Sequence, residues 1–256
     1  AAFQTPEKLY YILEYCPGGD LFDLLIAQDK GCFSEADARF YAAELCLALE
    51  HLHTHDTIHR DVKLENMLLT ADGHVRLADF GIAKAGLSPE GNRASCTFCA
   101  AGQIAVLYPP EFQRGELYGK DLDCWQLGVA TYCMLTGALP KVDACPRARL
   151  GVHGFSSATL DFCAQLMQLE RAARLGYPEG AGQLRAHCFF QVVNWEAAAA
   201  QELLTPKVAC LQNNSGRELG FRVSGVRTTV RKAAGTLFWL QGFAFAGGSL
   251  AWASRR

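Results

Sequence analysis

The chain has 256 residues, 50% of them hydrophobic and 20% charged, which is ample for one large domain with a real core and excludes disordered or collagen-like chains. Its net charge of −2 gives no global pull toward nucleic acid or an anionic membrane surface. Eleven scattered cysteines, an odd count, fit buried thiols in a reducing compartment better than a disulfide framework, and point to a cytoplasmic or nuclear setting.

Residues 8–16 (KLYYILEYC) are apolar, aromatic and β-branched without a helical period, which predicts a buried strand ended by Pro17-Gly18-Gly19. Asp20 stands at an N-cap position before Leu21, Leu24 and Leu25. Ser34-Glu35-Ala36-Asp37 resembles a capping box opening an amphipathic helix to about His53, with Leu45, Ala48, Leu49 and Leu52 on one face. At its end His51, His53 and His55 read as a solvated face, because no Cys or carboxylate stands in register to complete a metal site. A loop with short strands follows from Ile58 to Leu69, then a turn at Ala71-Asp72-Gly73 and a strand over His74–Ala78. Residues 85–103, rich in Gly, Ser and Ala, read as a long loop, and the isolated Cys96-x-x-Cys99 within it has no second pair to make a zinc site. Helices are predicted near 123–135 (Trp125, Val129 and Tyr132 sharing a face), over 157–169 (Leu160, Cys163, Ala164 and Met167 together) and over 195–204. Beyond Thr205 the pattern decays, Asn213–Gly216 reads as a linker, and there is no internal repeat.

The decisive stretch is His59-Arg60-Asp61-Val62-Lys63-Leu64-Glu65-Asn66, followed thirteen residues after Asn66 by Asp79-Phe80-Gly81. This ordered pair resembles the catalytic loop and metal-binding loop of protein kinases. The resemblance implies an α+β, kinase-like fold: a mainly helical large lobe with one strand of the small lobe at the N-terminus. It divides the chain into the end of the small lobe and hinge (1–16), the large lobe (17–195) and a degenerate C-terminal tail (196–256). It also implies ATP and Mg²⁺ as cofactors.

The chemistry gives each position its reason. Phosphoryl transfer leaves the protein mostly positioning and charge stabilisation to do. Asp61 would accept the proton of the substrate hydroxyl, and Lys63 would neutralise charge building on the γ-phosphate. A lysine there, in place of the Ala-Ala-Arg type of sequence in tyrosine kinases, implies Ser/Thr substrates. Asn66 and Asp79 offer the hard oxygens that Mg²⁺ prefers. Leu13-Glu14-Tyr15-Cys16 resembles the hinge, with Leu13 as gatekeeper and the backbones of Glu14 and Cys16 on the adenine edge. Asp20 matches the acidic position that reaches the ribose, Leu68 the adenine floor, and His59 and Phe80 two members of the hydrophobic spine. Asp20 and Glu65, both at the nucleotide side of the site, match acidic positions that receive substrate arginines. Glu111, in Pro109-Pro110-Glu111, and Arg174 match a structural ion pair, and Asp123-Cys124-Trp125-Gln126-Leu127-Gly128 matches the D-x-W-x-x-G helix.

Thr97-Phe98-Cys99 resembles the activation segment of the AGC group, the kinases related to protein kinases A, B and C. Thr97 then stands on the site phosphorylated by an upstream kinase, with Arg60 and Lys84 placed to receive the phosphate. Arg174-Leu175-Gly176, His187-Cys188-Phe189-Phe190 and Asn194-Trp195 resemble the AGC domain end. Leu204-Thr205-Pro206 resembles the start of its tail, and Leu240–Phe245 its hydrophobic motif, with Ala244 on the usual phosphosite. The implied partners are a protein substrate with basic residues near the acceptor and that upstream kinase, with neither nucleic acid nor membrane expected. Residues 233–253, uncharged between Arg231-Lys232 and Arg255-Arg256, carry a rival reading as a C-terminal membrane anchor.

The sequence also departs from the family. No G-x-G-x-x-G is present, and the upstream lysine, its partner helix and most of the small lobe have no counterpart, so the chain reads as N-terminally truncated. Ala100–Tyr108 runs longer than expected and lacks the threonine that braces Asp61 and Lys63. Pro140–Ser157 is too short for the usual extra helix, and Phe221 is a poor match for the tail's adenine-contacting aromatic. Two readings follow: a Ser/Thr protein kinase, or an inactive kinase-like scaffold or gene fragment acting by protein binding.

Overall fold

The computed structural model describes residues 2–6, 9–86, 92–93, 105–141, 154–206, 220–223, 226–229, 231–232 and 238–241. Thr97, Cys96 and Cys99, residues 100–104, 142–153, the 213–216 linker and most of the hydrophobic motif lie outside them. Packing of the backbone divides the chain into two compact units, Ala1–Cys16 with Gln212–Arg256, and Pro17–Leu211.

The first unit holds an antiparallel sheet of β1 (Ala2–Gln4) and β2 (Leu9–Tyr11), extended by two tail strands described below. β1 pairs with β2 in the register Ala2↔Tyr11, Phe3↔Tyr10 and Gln4↔Leu9, and the Phe3 and Tyr10 rings stack at 4.8 Å. The strand is shorter than the 8–16 run predicts: pairing ends at Tyr11, where β1 runs out at Ala2, and residues 12–16 continue outside any strand.

The second unit is built around helices. α1 (Leu21–Ile26) is capped by Asp20, whose Oδ1 accepts the Asp23 N–H at 2.8 Å. α2 (Glu35–Thr54) is capped by Ser34, whose Oγ accepts the Asp37 N–H; Asp37 answers through the Ser34 hydroxyl, giving a variant of the predicted capping box. Short strands follow: β3 (Thr57–Ile58), β4 (Met67–Leu69), β5 (Val75–Leu77), β6 (Lys84–Ala85) and β7 (Asn92–Arg93). Then come α3 (Pro110–Gln113), β8 (Leu117–Tyr118), α4 (Asp121–Thr136), α5 (Ser157–Leu166) and α6 (Trp195–Ala199). The last helix ends well short of the predicted 204, at Ala199 with Ala200 as its C-cap, after which Gln201 takes a positive φ of 57°.

α4 is the hub, with every residue from Asp121 to Leu135 buried. It packs against α2 and α5, and Tyr41, Leu45, Leu49, Leu127, Tyr132, Phe162, Phe189 and Phe190 lie in one continuous core. Gly128 lets α5 come close: a Cβ there would sit 2.7 Å from Leu166 Cβ. Of the predicted face Leu160, Cys163, Ala164 and Met167, Cys163 and Met167 are buried and Leu160 and Ala164 only half-buried, with Thr159, Phe162 and Leu166 completing the side that meets the core.

In the tail, β9 (Gly220–Val223) and β10 (Val226–Thr229) form a hairpin, and β11 (Arg231–Lys232) pairs with β12 (Phe238–Gln241). β12 pairs in turn with β2 through Leu240↔Tyr11 and Gln241↔Tyr10. Among the described residues no helix is long and apolar enough to cross a membrane, and the four described residues of 238–241 form a strand.

Candidate active site

Residues His59–Asn66 have little regular structure of their own and are fastened by side chains of α4. Asp123, fully buried, accepts the His59 N–H on Oδ2 at 2.9 Å and the Arg60 N–H on Oδ1 at 2.8 Å. One turn on, Gln126 accepts the Val62 N–H at 3.0 Å and donates to the Arg60 carbonyl at 2.9 Å. These bonds hold Arg60 at a φ of 69°, a left-handed conformation that a β-carbon disfavours.

A third group fixes Asp123. His53 is buried, which corrects the solvated-face reading of the three helix-end histidines; only His51 and His55 are exposed, and their rings lie 4.5 Å apart. His53 Nδ1 accepts the Ala181 N–H at 3.0 Å, so the ring proton is on Nε2 and is donated to Asp123 Oδ2 at 2.9 Å. The signal was available: His53 falls four residues after Leu49 and eight after Leu45, on the buried stripe of α2.

Asp61 sits at the tip of this loop, partly buried. Lys63 Nζ donates to its Oδ2 at 2.7 Å, and Asn66 Nδ2 donates to the same oxygen at 2.9 Å and to the Asp61 carbonyl at 2.7 Å. Among the described residues, the donors to this carboxylate therefore converge on Oδ2. The family's bracing threonine has no match in the sequence, and here Asn66 and Lys63 supply the bracing. Because Asn66 spends its amide nitrogen on Asp61, its Oδ1 is the atom left to act as a ligand.

The thirteen-residue spacing to Asp79 is a hairpin. β4 and β5 pair as Met67↔Leu77, Leu68↔Arg76 and Leu69↔Val75, and the Ala78 N–H closes the ladder on the Asn66 carbonyl at 2.8 Å. Asn66 and Asp79 thus flank the open end of one hairpin. Glu44 of α2 supports its closed end: Oε2 accepts the Val75 N–H at 2.7 Å and Oε1 the His74 ring at 2.5 Å. Asp79 has a φ of 60° and accepts the Gly81 N–H on Oδ1 at 3.1 Å. His59 donates from Nε2 to the Ala78 carbonyl at 3.0 Å, and its ring meets Phe80 edge-on at 4.9 Å, the contact expected of two spine residues. Burial holds His59 below the usual imidazole pKa, consistent with a neutral ring.

Arg60 and Lys84 come from adjacent pieces of chain, since β3 pairs with β6 through Ile58↔Lys84. The Arg60 guanidinium donates from Nε to the Ile82 carbonyl at 2.5 Å and from Nη1 to Tyr118 Oη at 2.9 Å.

At the other side of the hairpin, Asp20 bridges Leu68 in antiparallel fashion, and Gly18 and Gly19 exchange backbone bonds with Leu69 at 2.9 Å each. Burial raises the Asp20 carboxyl to about 6, with Asp23 and the exposed Glu65 adding like-charge repulsion. Leu68 is half-buried. The hinge candidates belong to the first unit, where Leu13 and Glu14 are exposed and Cys16 is buried.

The structural ion pair is larger than the sequence suggested. Arg174 places Nη1 and Nη2 on the two Glu111 oxygens at 2.5 and 2.9 Å, reaches Asp121 Oδ2 with Nη1 at 2.9 Å, and lies over the Trp125 ring. Arg171 grips both oxygens of Asp121, donating from Nε to Oδ2 at 2.9 Å and from Nη2 to Oδ1 at 2.8 Å. Asp121 and Arg171 were missed because they stand fifty residues apart and no local pattern ties one to the other.

The family description "Protein kinase domain" matches residues 1–190. The chain belongs to the protein kinase family. Its relatives include Serine/threonine-protein kinase sck1 of Schizosaccharomyces pombe, 39% identical over 223 residues (83% of this chain, 31% of that one). Protein kinase C-like 1 of Caenorhabditis elegans is 37% identical over 224 residues (84% and 31%), and Serine/threonine-protein kinase Sgk1 of Danio rerio 36% over 214 (80% and 48%). These relatives bear out the AGC-type resemblance. The kinase chain spans 31–48% of the length of these relatives.

Proposed function

We propose that this chain carries the catalytic lobe of a Ser/Thr protein kinase, transferring the γ-phosphate of ATP to protein hydroxyls. The observation that carries the reading is the Asp61 carboxylate, held through Oδ2 by Lys63 and Asn66 on a loop pinned by Asp123. That arrangement leaves Oδ1 to accept the proton of a serine or threonine hydroxyl as its oxygen bonds to the γ-phosphorus and the bond to the ADP oxygen breaks. Lys63 Nζ, already 2.7 Å from Asp61, supplies positive charge where the transferring group gains negative charge.

Asn66 Oδ1 and the Asp79 carboxylate are a hard-oxygen pair at one end of a hairpin, a donor set that fits Mg²⁺. Bound there, Mg²⁺ would neutralise phosphate charge. The backbones of Glu14 and Cys16, with Leu13, Leu68 and Asp20, are the proposed nucleotide contacts. We assign Thr97 as the activating phosphosite, with Arg60 and Lys84 as its receivers; Arg60 Nη2 is the edge not engaged by Ile82 or Tyr118. Asp20 and Glu65 favour substrates with arginines near the acceptor. The cytoplasmic or nuclear setting rests on the cysteine pattern alone.

The test is transfer from Mg-ATP to matched peptides carrying Ser, Thr or Tyr beside two arginines, using the protein at its full genomic length. The expected result is transfer to Ser and Thr peptides alone. Absence of transfer to any peptide supports the scaffold reading instead.

A further inference from the structure

The D-x-W-x-x-G motif leaves open the position that this chain fills with Gln126, on α4. Gln126 is 1% exposed, and its amide bonds to the two peptide groups that flank Asp61. Oε1 accepts the Val62 N–H at 3.0 Å, and Nε2 donates to the Arg60 carbonyl at 2.9 Å. We propose that Gln126 is a positioning residue for phosphoryl transfer, which sets the direction of the Asp61 side chain by clamping the main chain on either side of it. For its effect on rate, this role rests on the kinase reading.

A peptide group is planar, so only the φ and ψ of Asp61 relate the plane that joins it to Arg60 to the plane that joins it to Val62. The Arg60 carbonyl belongs to the first plane and the Val62 N–H to the second. One amide bonded to both fixes the planes relative to each other, and with them the Cα–Cβ bond of Asp61. The other group of each plane is held from within the loop: the Asp61 N–H donates to His59 Nδ1 at 3.3 Å, and the Asp61 carbonyl accepts from Asn66 Nδ2 at 2.7 Å. Those partners move with the loop. Gln126 is anchored outside it, on a helix buried from Asp121 to Leu135.

The residue type fits the task. The clamp needs an acceptor and a donor on one side chain, in a place shielded from water, and a neutral amide offers both. A carboxylate would set a negative oxygen against the Arg60 carbonyl. A lysine or arginine would offer the Val62 N–H no acceptor, and an apolar side chain would leave both backbone groups unmatched. The work is divided along the loop. Asp123 holds the His59 and Arg60 N–H groups, Gln126 holds the main chain around Asp61, and Lys63 and Asn66 hold its carboxylate.

The test compares the full-length parent with Gln126→Met, Gln126→Asn and Thr131→Val. Methionine keeps the length and removes both bonds; asparagine keeps the amide and withdraws it by one methylene. Thr131 is the control, buried on the same helix and donating to the Leu127 carbonyl at 2.8 Å instead of to the loop. With Mg-ATP and a basic serine peptide, both Gln126 variants should lose about 10–100-fold in kcat with each KM changed less than about twofold, while Thr131→Val keeps its kcat. Amide hydrogen exchange needs no activity: the Val62 N–H should exchange about tenfold faster in Gln126→Met, with Leu45 and Leu49 of α2 unchanged. Parental kcat in both Gln126 variants, an equal fall in Thr131→Val, or unchanged exchange at Val62 overturns the proposal. A parent that transfers no phosphate strikes the kinase reading, and the Val62 exchange then decides by itself whether Gln126 holds Asp61.

Discussion

His53 donates its Nε2 proton to Asp123 Oδ2 at 2.9 Å, so the end of α2 and the start of α4 jointly hold the His59–Asn66 loop. The same oxygen accepts the His59 N–H, and no group in this chain of bonds faces water. Replacing His53 by Ala leaves the Ala181 N–H and part of Asp123 unmatched in the core. The expected cost is about 2–4 kcal/mol, read as a lower urea midpoint at unchanged slope. A loss under about 0.5 kcal/mol would show that the pair contributes no more than a surface contact.

Arg174 to Lys keeps the charge and removes the fork. Glu111 and Asp121, 4% and 0% exposed, would then share one point charge between three oxygens now met by two nitrogens. The expected destabilisation is about 3–5 kcal/mol, the range for breaking a buried pair, measured by denaturant unfolding. Arg171 to Ala should cost less, since Arg171 is 24% exposed and Asp121 keeps Arg174.

Asp20 provides a pH test. Burial raises its carboxyl from 3.8 to about 6, so the folded state binds this proton more tightly than the unfolded chain. Its contribution to stability is therefore present below pH ~4 and is lost as pH rises to about 6. Asp20→Asn keeps a competent N-cap and does not titrate. The melting temperature of Asp20→Asn relative to the parent should rise between pH 4 and pH 6.5 and be flat above. A difference independent of pH would contradict the assignment.

Much of the site was legible because it is local. Asp61, Lys63 and Asn66 lie within six residues, and the spacing to Asp79 follows from a hairpin whose turn signal, Asp72-Gly73, is plain in the sequence. The caps at Asp20 and Ser34 were legible for the same reason. What was not legible depends on distance or on uniform burial. α4 is buried on all sides, so no periodicity tells which face of Asp121 or Asp123 meets which partner. The extent of β2 depends on its pairing with β1, from Gln4↔Leu9 to Ala2↔Tyr11, which no local pattern announces.

The central claim is that Asp61 is the group that receives the hydroxyl proton. Its direct measurement is the rate of γ-phosphate transfer from Mg-ATP to a basic serine peptide, in the full-length protein, for the parent and for Asp61→Asn at matched thermal stability. The account predicts a fall in kcat of about 10²–10⁴-fold with little change in the KM for ATP. Equal rates in the two proteins would contradict it.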